Sequence, residues 1–167
     1  MEKFRVLNAD EIDVRIAKID EKGASLLLYK DARVDMSILD ETVGAENWQR
    51  KHYECKGNLF CSVGLKVGDE WIWKDDAGAE SFSEKQKGEA SDSFKRACVN
   101  WGIGRELYTS PYIWVSADKI NMTQKNGKPS TYDKFTVAKI VIDESRKITA
   151  LAINNQKGAH VFIWQQK

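Results

Sequence analysis

At 167 residues, with 42% hydrophobic and 31% charged side chains, the chain has the composition of one globular domain, not of a disordered, collagenous or membrane-embedded one. The longest aliphatic run, residues 24–29, is far short of the roughly 20 apolar residues that cross a bilayer. The start, Met1-Glu2-Lys3-Phe4-Arg5, lacks the basic-then-apolar pattern of a signal peptide.

The expectation is therefore a protein of the cytoplasm or nucleus, with no membrane partner. Three cysteines, Cys55, Cys61 and Cys98, are an odd number and argue against a disulfide framework. There is no CxxC, and His52 and His160 are far apart, so neither a metal nor a cofactor is expected. The net charge of +1 hides an uneven distribution. Residues 1–50 carry eight basic and eleven acidic side chains, residues 85–105 five and two, and residues 119–139 five and one. A near-neutral chain that concentrates its cations this way can bind a polyanion.

In chain order, Asn8 as N-cap and Glu11 three residues on predict a capping box. Ile12, Ile16 and Ile19 then repeat at helical spacing, which predicts a first helix ending near Gly23. Residues 24–29 read as extended. Asp35 as N-cap, Met36, Leu39 and Val43 on one face and Gly44 as terminator predict a second helix over 35–43. Three strand-like runs follow, 52–56, 59–67 and 70–74, joined at Gly57-Asn58 and Gly68-Asp69. Trp71 and Trp73 fall on one strand face by the two-residue period.

An acidic loop over 75–83 leads into a long helix over 84–101. There Ala90, Phe94, Ala97 and Trp101 form one apolar stripe for packing on the sheet, and Gly102 and Gly104 end it. Residues 112–115 read as a strand and 123–131 as a polar loop around Asn126-Gly127. Strands over 134–143, 148–154 and 161–164 complete the chain. The class is α+β: a β-β-β-α core, its antiparallel sheet packed on one long helix, with additional C-terminal strands. A single domain over 1–167 is expected, with a core over about 12–108 and a C-terminal β extension over about 109–167.

The chain has no GxSxG, no phosphate-cradling GxxxxGK[ST] and no HExxH, so hydrolysis of a nucleotide has no visible machinery. Asp69, Glu70, Asp75, Asp76, Glu80 and Glu84 form an acidic group. It suits either Mg²⁺ binding in a nuclease or ordinary turn and helix-dipole chemistry. The long helix places two neighbouring cations, Lys95 and Arg96, beside its apolar stripe, with Lys87 and Ser91 along the same edge as Lys95. These cations either track a phosphate backbone or are solvated, Arg96 pairing with Asp92 one turn back. The six tryptophans offer stacking platforms or core.

Two stretches carry a resemblance. Residues 33–48, a helix followed by Gly44-Ala45-Glu46-Asn47-Trp48, resemble the helix, G-x-x-x-W and sheet of the Rad-fifty-two family of single-strand annealing proteins. Glu89-Ala90-Ser91-Asp92-Ser93-Phe94-Lys95-Arg96-Ala97, closed by Gly102, is similar to that family's signature helix. The resemblance covers roughly residues 12–108, and the length is that of a compact phage-type member, which would place it in a bacterial host cytoplasm.

The resemblance implies an oligomeric ring that holds single-stranded DNA in a groove and pairs complementary strands without ATP. It implies a binding protein and not an enzyme, with a recombination exonuclease or single-strand-binding protein as the kind of further partner. By motif position, Lys95 and Arg96 become the basic pair of the groove, and Arg15 and Tyr29 resemble two further groove residues. Two departures from the pattern stand out. Val99 occupies the place of a third basic residue, for which Arg105 is the candidate substitute. The loop before the signature helix is short and acidic, leaving Lys66, Lys74, Lys85 and Lys87 as candidates for any second DNA site.

Overall fold

The computed structural model describes residues 4–79 and 85–166, without the side chains of 85–87. Within it the chain forms two compact units, one of residues 1–5 and 31–104, the other of residues 6–30 and 105–167. The class is the expected α+β.

The first unit holds helix α1 (Ala32–Val43), helix α2 (Lys85–Trp101) and strands β3 (Trp48–Cys55), β4 (Asn58–Val67) and β5 (Glu70–Ala77). The strands form an antiparallel meander in the order β3-β4-β5, as expected. Both loops hold two residues, since Cys55 pairs with Asn58 and Val67 with Glu70. α1 begins earlier than expected. Asp31, not Asp35, is its N-cap and accepts the backbone N–H of Arg33, while Asp35 is fully buried inside the helix. Gly44, at φ 85°, ends it as expected.

The stripe on α2 packs on β4 and β5. Phe94, Ala97 and Cys98 are fully buried and Trp101 is 8% exposed. Trp101 Nε1 donates to the Val63 carbonyl at 2.9 Å, and Trp48 stacks on Phe94. Removing the Phe94 ring from such a site would cost about 3–5 kcal/mol.

The second unit holds strands β1 (Asp13–Asp20), β2 (Gly23–Tyr29), β6 (Ile113–Ser116), β7 (Met122–Lys125), β8 (Lys128–Thr131), β9 (Phe135–Ile142), β10 (Ile148–Asn155) and β11 (His160–Gln165). Six of them make one sheet in the order β11-β10-β9-β1-β2-β6. Its edge strands β11 and β6 touch, so the sheet curls on itself. Leu26, Ile113, Val115, Phe135, Leu151 and Ile153 fill the inside. Glu106, fully buried, accepts the backbone N–H of Leu7 at 2.7 Å and an Nη2 of Arg146 at 3.0 Å. That carboxylate ties the start of the unit to the β9–β10 turn.

Two expectations fail in this unit. The capping box of Asn8 and Glu11 forms, but the helix it opens is a single 3-10 turn, Ala9–Glu11. The residues expected to continue it are β1. Ile16 pairs with Leu26 while Lys18 pairs with Ser25, so Ala17 is an extra residue in the ladder. This bulge puts Val14, Ile16 and Ile19 on one face, opposite Leu28, Leu26 and Ala24. A bulged strand thus reproduces the three-residue spacing of a helix. The polar loop over 123–131 is instead the β7–β8 hairpin, whose two-residue turn takes Asn126 and Gly127 to φ 52° and 73°. Asn-Gly favours that left-handed pair of conformations.

Candidate nucleic-acid interface

In the β3–β4–β5 sheet, side chains alternate between two faces. Trp48, Arg50 and His52 of β3 share a face with Cys61, Val63 and Leu65 of β4 and with Ile72, Lys74 and Asp76 of β5. α2 lies on that face. The His52 ring meets the Ala90 carbonyl, and the Arg50 guanidinium sits 4.6 Å from the centre of the Phe94 ring. Burial pushes the Cys61 thiol up to about 11, leaving it a small apolar filler at neutral pH.

α2 presents Lys95 half-buried and Arg96 exposed, on neighbouring positions. Arg96 does not pair with Asp92 as weighed from the sequence. Its Nη2 lies 3.2 Å from Asp76 Oδ1 on β5, and Asp92 instead accepts the backbone N–H of Ala79. The Arg96 side chain remains 47% exposed. Lys95 contributes to the field at Asp31, whose carboxyl is held below its usual value. The hydrogen bonds from the Arg33 side chain and backbone are the larger causes. Lys95, Asp31 and Arg33 therefore sit in one charged neighbourhood at the start of α1.

The predicted Arg15 and Tyr29 also come together, on adjacent strands and not on a helix. The Arg15 guanidinium stands over the Tyr29 ring, 5.3 Å from its centre. β1 pairs with β2 so that Asp13 faces Tyr29 and Arg15 faces Leu27, which puts all four on one face of the curled sheet. Arg15 and Leu27 are exposed there. Trp114, opposite Ser25 on β6, extends the same face. Arg105 is exposed in the 3-10 turn Arg105–Thr109 of the same unit.

The other predicted cations have different fates. Lys66 is exposed, on the face of β4 that points away from α2, directly opposite Trp71. Lys74 is already engaged: its Nζ donates to the Asn100 carbonyl at 2.9 Å and lies 4.4 Å from the centre of the Trp101 ring. The side chains of Lys85 and Lys87 lie outside the described residues, as do Glu80 and Glu84. Sequence reasoning missed Arg50 and Lys51, although the run Gln49-Arg50-Lys51-His52 behind Trp48 is a local concentration of cations.

The described members of the acidic group, Asp69, Glu70, Asp75 and Asp76, do not converge. Asp75 accepts hydrogen bonds from the hydroxyls of Ser62 and Tyr53, and Asp76 holds Arg96 and accepts from Asn100. Among the described residues, no three His, Cys, Asp or Glu side chains form a group that could hold a metal. No helix among them is long and apolar enough to cross a membrane.

The arrangement offers two partly exposed cation sites, each built on a rigid element: Lys95–Arg96 on a helix packed to a sheet, and Arg15 braced on an aromatic ring. Such groups can neutralise phosphates without reading bases. Comparison with known proteins points the same way. A sequence model of the Rad52/22 family double-strand break repair protein matches residues 4–127. That span exceeds the expected 12–108 and includes Arg15, Arg50, Lys51, Lys66, Lys95, Arg96 and Arg105. The chain is also 32% identical over 97 residues to the single-stranded DNA-binding protein DdrA of Deinococcus radiodurans, covering 57% of this chain and 46% of that relative. The chain thus spans about half the length of the curated relative it matches. No solved structure matches it significantly.

Proposed function

The chain belongs to the Rad52/22 family of double-strand break repair proteins, and from that membership we propose that it binds single-stranded DNA and anneals complementary strands without ATP, acting in recombination and repair as an oligomeric ring. The observation that carries the reading is the Lys95–Arg96 pair, seated on the signature helix inside the matched span and still open to solvent. The similarity to the single-stranded DNA-binding DdrA supports it.

Annealing makes and breaks no covalent bond in the protein. It requires that two polyanions approach and that their bases stay free to pair. Lys95, Arg96 and Arg15 supply the first by displacing counterions from phosphates. The second follows from contacts confined to the backbone, which leave base edges unread and binding independent of sequence. Repeating one modest site around a ring raises the effective concentration of the next site and turns weak contacts into tight binding. Arg105 is a fourth candidate cation, and Lys87, eight positions before Lys95 in the sequence, a fifth.

The test is to incubate two complementary labelled strands with the protein, in EDTA and in Mg²⁺, without nucleotide. Duplex formation faster than the spontaneous rate in both buffers is expected. Intact, unannealed strands would overturn the reading. Strands shortened only in Mg²⁺ would replace it with a nuclease that uses the acidic residues 69–84. Light scattering and electron microscopy of the same sample test the ring, for which a monomer at working concentration is the overturning result.

A further inference from the structure

We infer that Arg50 of β3 is a further phosphate contact of the Lys95–Arg96 site, one that carries the strand onto the flank of α2 over β3. The inference rests on the reading of Lys95 and Arg96 as a strand-binding site and adds to it a residue from a different element.

The helical turn sorts the side chains of α2 into two flanks. Successive residues point about 100° apart, so Lys95 stands about 100° from the buried Phe94 and Arg96 about 200°. Arg96 and Asn100 reach β5, through Asp76 and the Asp75 carbonyl. Lys95 therefore turns to the other flank, over β3. Arg50 belongs to that flank: with Trp48 and His52 it lies on the face of β3 that meets α2. Its guanidinium stands over Phe94, the residue before Lys95.

Charge divides the two flanks. Over β5 the cations are engaged: Arg96 with Asp76, and Lys74 with the Asn100 carbonyl. Over β3, among the described residues, neither Arg50 nor Lys95 has a carboxylate within ion-pair reach. The carboxylates of α1 and its cap on this side are taken, Asp40 by Trp48 Nε1 and Asp31 by Arg33. Glu54, on the same face of β3, lies four residues and about 13 Å along the strand from Arg50. Two uncompensated cations on one flank make a positive strip that an anionic backbone complements.

The Arg50 guanidinium is also pre-organised. It rests on the Phe94 ring, 4.6 Å from the centre. That ring is fully buried and stacked on Trp48, so the platform is fixed. Arg50 is itself exposed, which leaves N–H donors open to solvent. A planar fork held in this way matches phosphate oxygens and loses little side-chain freedom on binding. Unlike Arg96, it displaces no carboxylate among the described residues.

The experiment uses the full chain, labelled oligothymidylate and fluorescence anisotropy over a series of salt concentrations. Arg50→Met keeps an apolar stem on Phe94 and removes the charge. It should lower the salt slope by about 0.7, equivalent to about fivefold in affinity at about 0.1 M salt. Arg50→Lys keeps a charge and should retain most of the parent slope. Arg50→Met combined with Lys95→Ala should lower the slope by about 1.4, the sum of two separate contacts. On the unaltered chain, the bound strand should shield Arg50 from phenylglyoxal, read as modified peptides by mass spectrometry. A parent slope in Arg50→Met, or equal reactivity of Arg50 with and without the strand, overturns this inference. If Lys95→Ala still lowers the slope in that case, the proposed function stands. Equal losses of slope in Arg50→Met and Arg50→Lys, with both variants less stable to denaturant, make Arg50 a packing residue and also overturn it. Failure of the unaltered chain to bind any single strand removes the proposed function and this inference together.

Discussion

Arg96 and Asp76 join α2 to β5: Nε and Nη2 of the arginine each lie 3.2 Å from Asp76 Oδ1. The pair is partly solvated, with Arg96 47% and Asp76 26% exposed. Ion pairs in such surroundings contribute about 0–1 kcal/mol. A phosphate can therefore displace Asp76 at small cost, and the aspartate acts as a built-in competitor for the strand. Asp76→Asn is expected to tighten single-stranded DNA binding by up to about fivefold at low salt, the equivalent of about 1 kcal/mol. Fluorescence anisotropy with labelled oligothymidylate measures it, and weaker binding would show that Arg96 does not meet the strand.

Replacing both Lys95 and Arg96 with alanine should remove two phosphate contacts. The slope of log affinity against log salt should fall by about 1.4, at about 0.7 per contact on single strands. Alanine is the best helix former, so the circular dichroism of the variant should match the parent. An unchanged slope would take the strand away from α2.

Arg15 over Tyr29 is worth about 0.5–1 kcal/mol if it behaves as an exposed cation–π pair. Tyr29→Phe keeps the ring and should leave DNA affinity nearly intact, whereas Tyr29→Leu should weaken it and make Arg15→Ala less costly. A double-mutant cycle on affinity measures the coupling. Strict additivity would mean that the ring does not orient the guanidinium for binding.

Glu106 is fully buried and holds both the Leu7 N–H and the Arg146 guanidinium. Glu106→Ala removes one partner of a buried pair and is expected to cost about 3–5 kcal/mol of stability. Denaturant unfolding checks this. A loss below 1 kcal/mol would show that water replaces the carboxylate.

The Asp31 carboxyl titrates below its ordinary value, chiefly because the Arg33 side chain and backbone N–H donate to it. A carboxyl depressed by folding stabilises the fold above its unfolded value, about 3.9. That contribution is lost as the pH falls through the lower folded value. Stability should therefore decline below about pH 4 in the parent and do so less steeply in Asp31→Asn, which keeps an N-cap acceptor without a charge. Thermal melts between pH 2.5 and 6 compare the two slopes.

The meander, the long helix, its apolar stripe and the terminating Gly44 were legible in the chain because each rests on neighbours a few residues apart: two-residue turns, a single face of α2, one glycine. Lys95 and Arg96 could be singled out for the same reason, since adjacency on a helix is a property of sequence. What tertiary structure decided was every relationship that needs a partner strand. The bulge at Ala17 turned an apparent helix into β1, because the face of a residue in a strand is set by its register against β2 and not by its own spacing. Arg96 found Asp76, 20 positions away on β5, instead of Asp92 one turn away, because α2 packs on that face of the sheet, and Lys51 found Trp73, 22 positions away and two strands over, because β3, β4 and β5 pair side by side. Sequence carries the local periods; only folding brings distant charges and rings onto a common face.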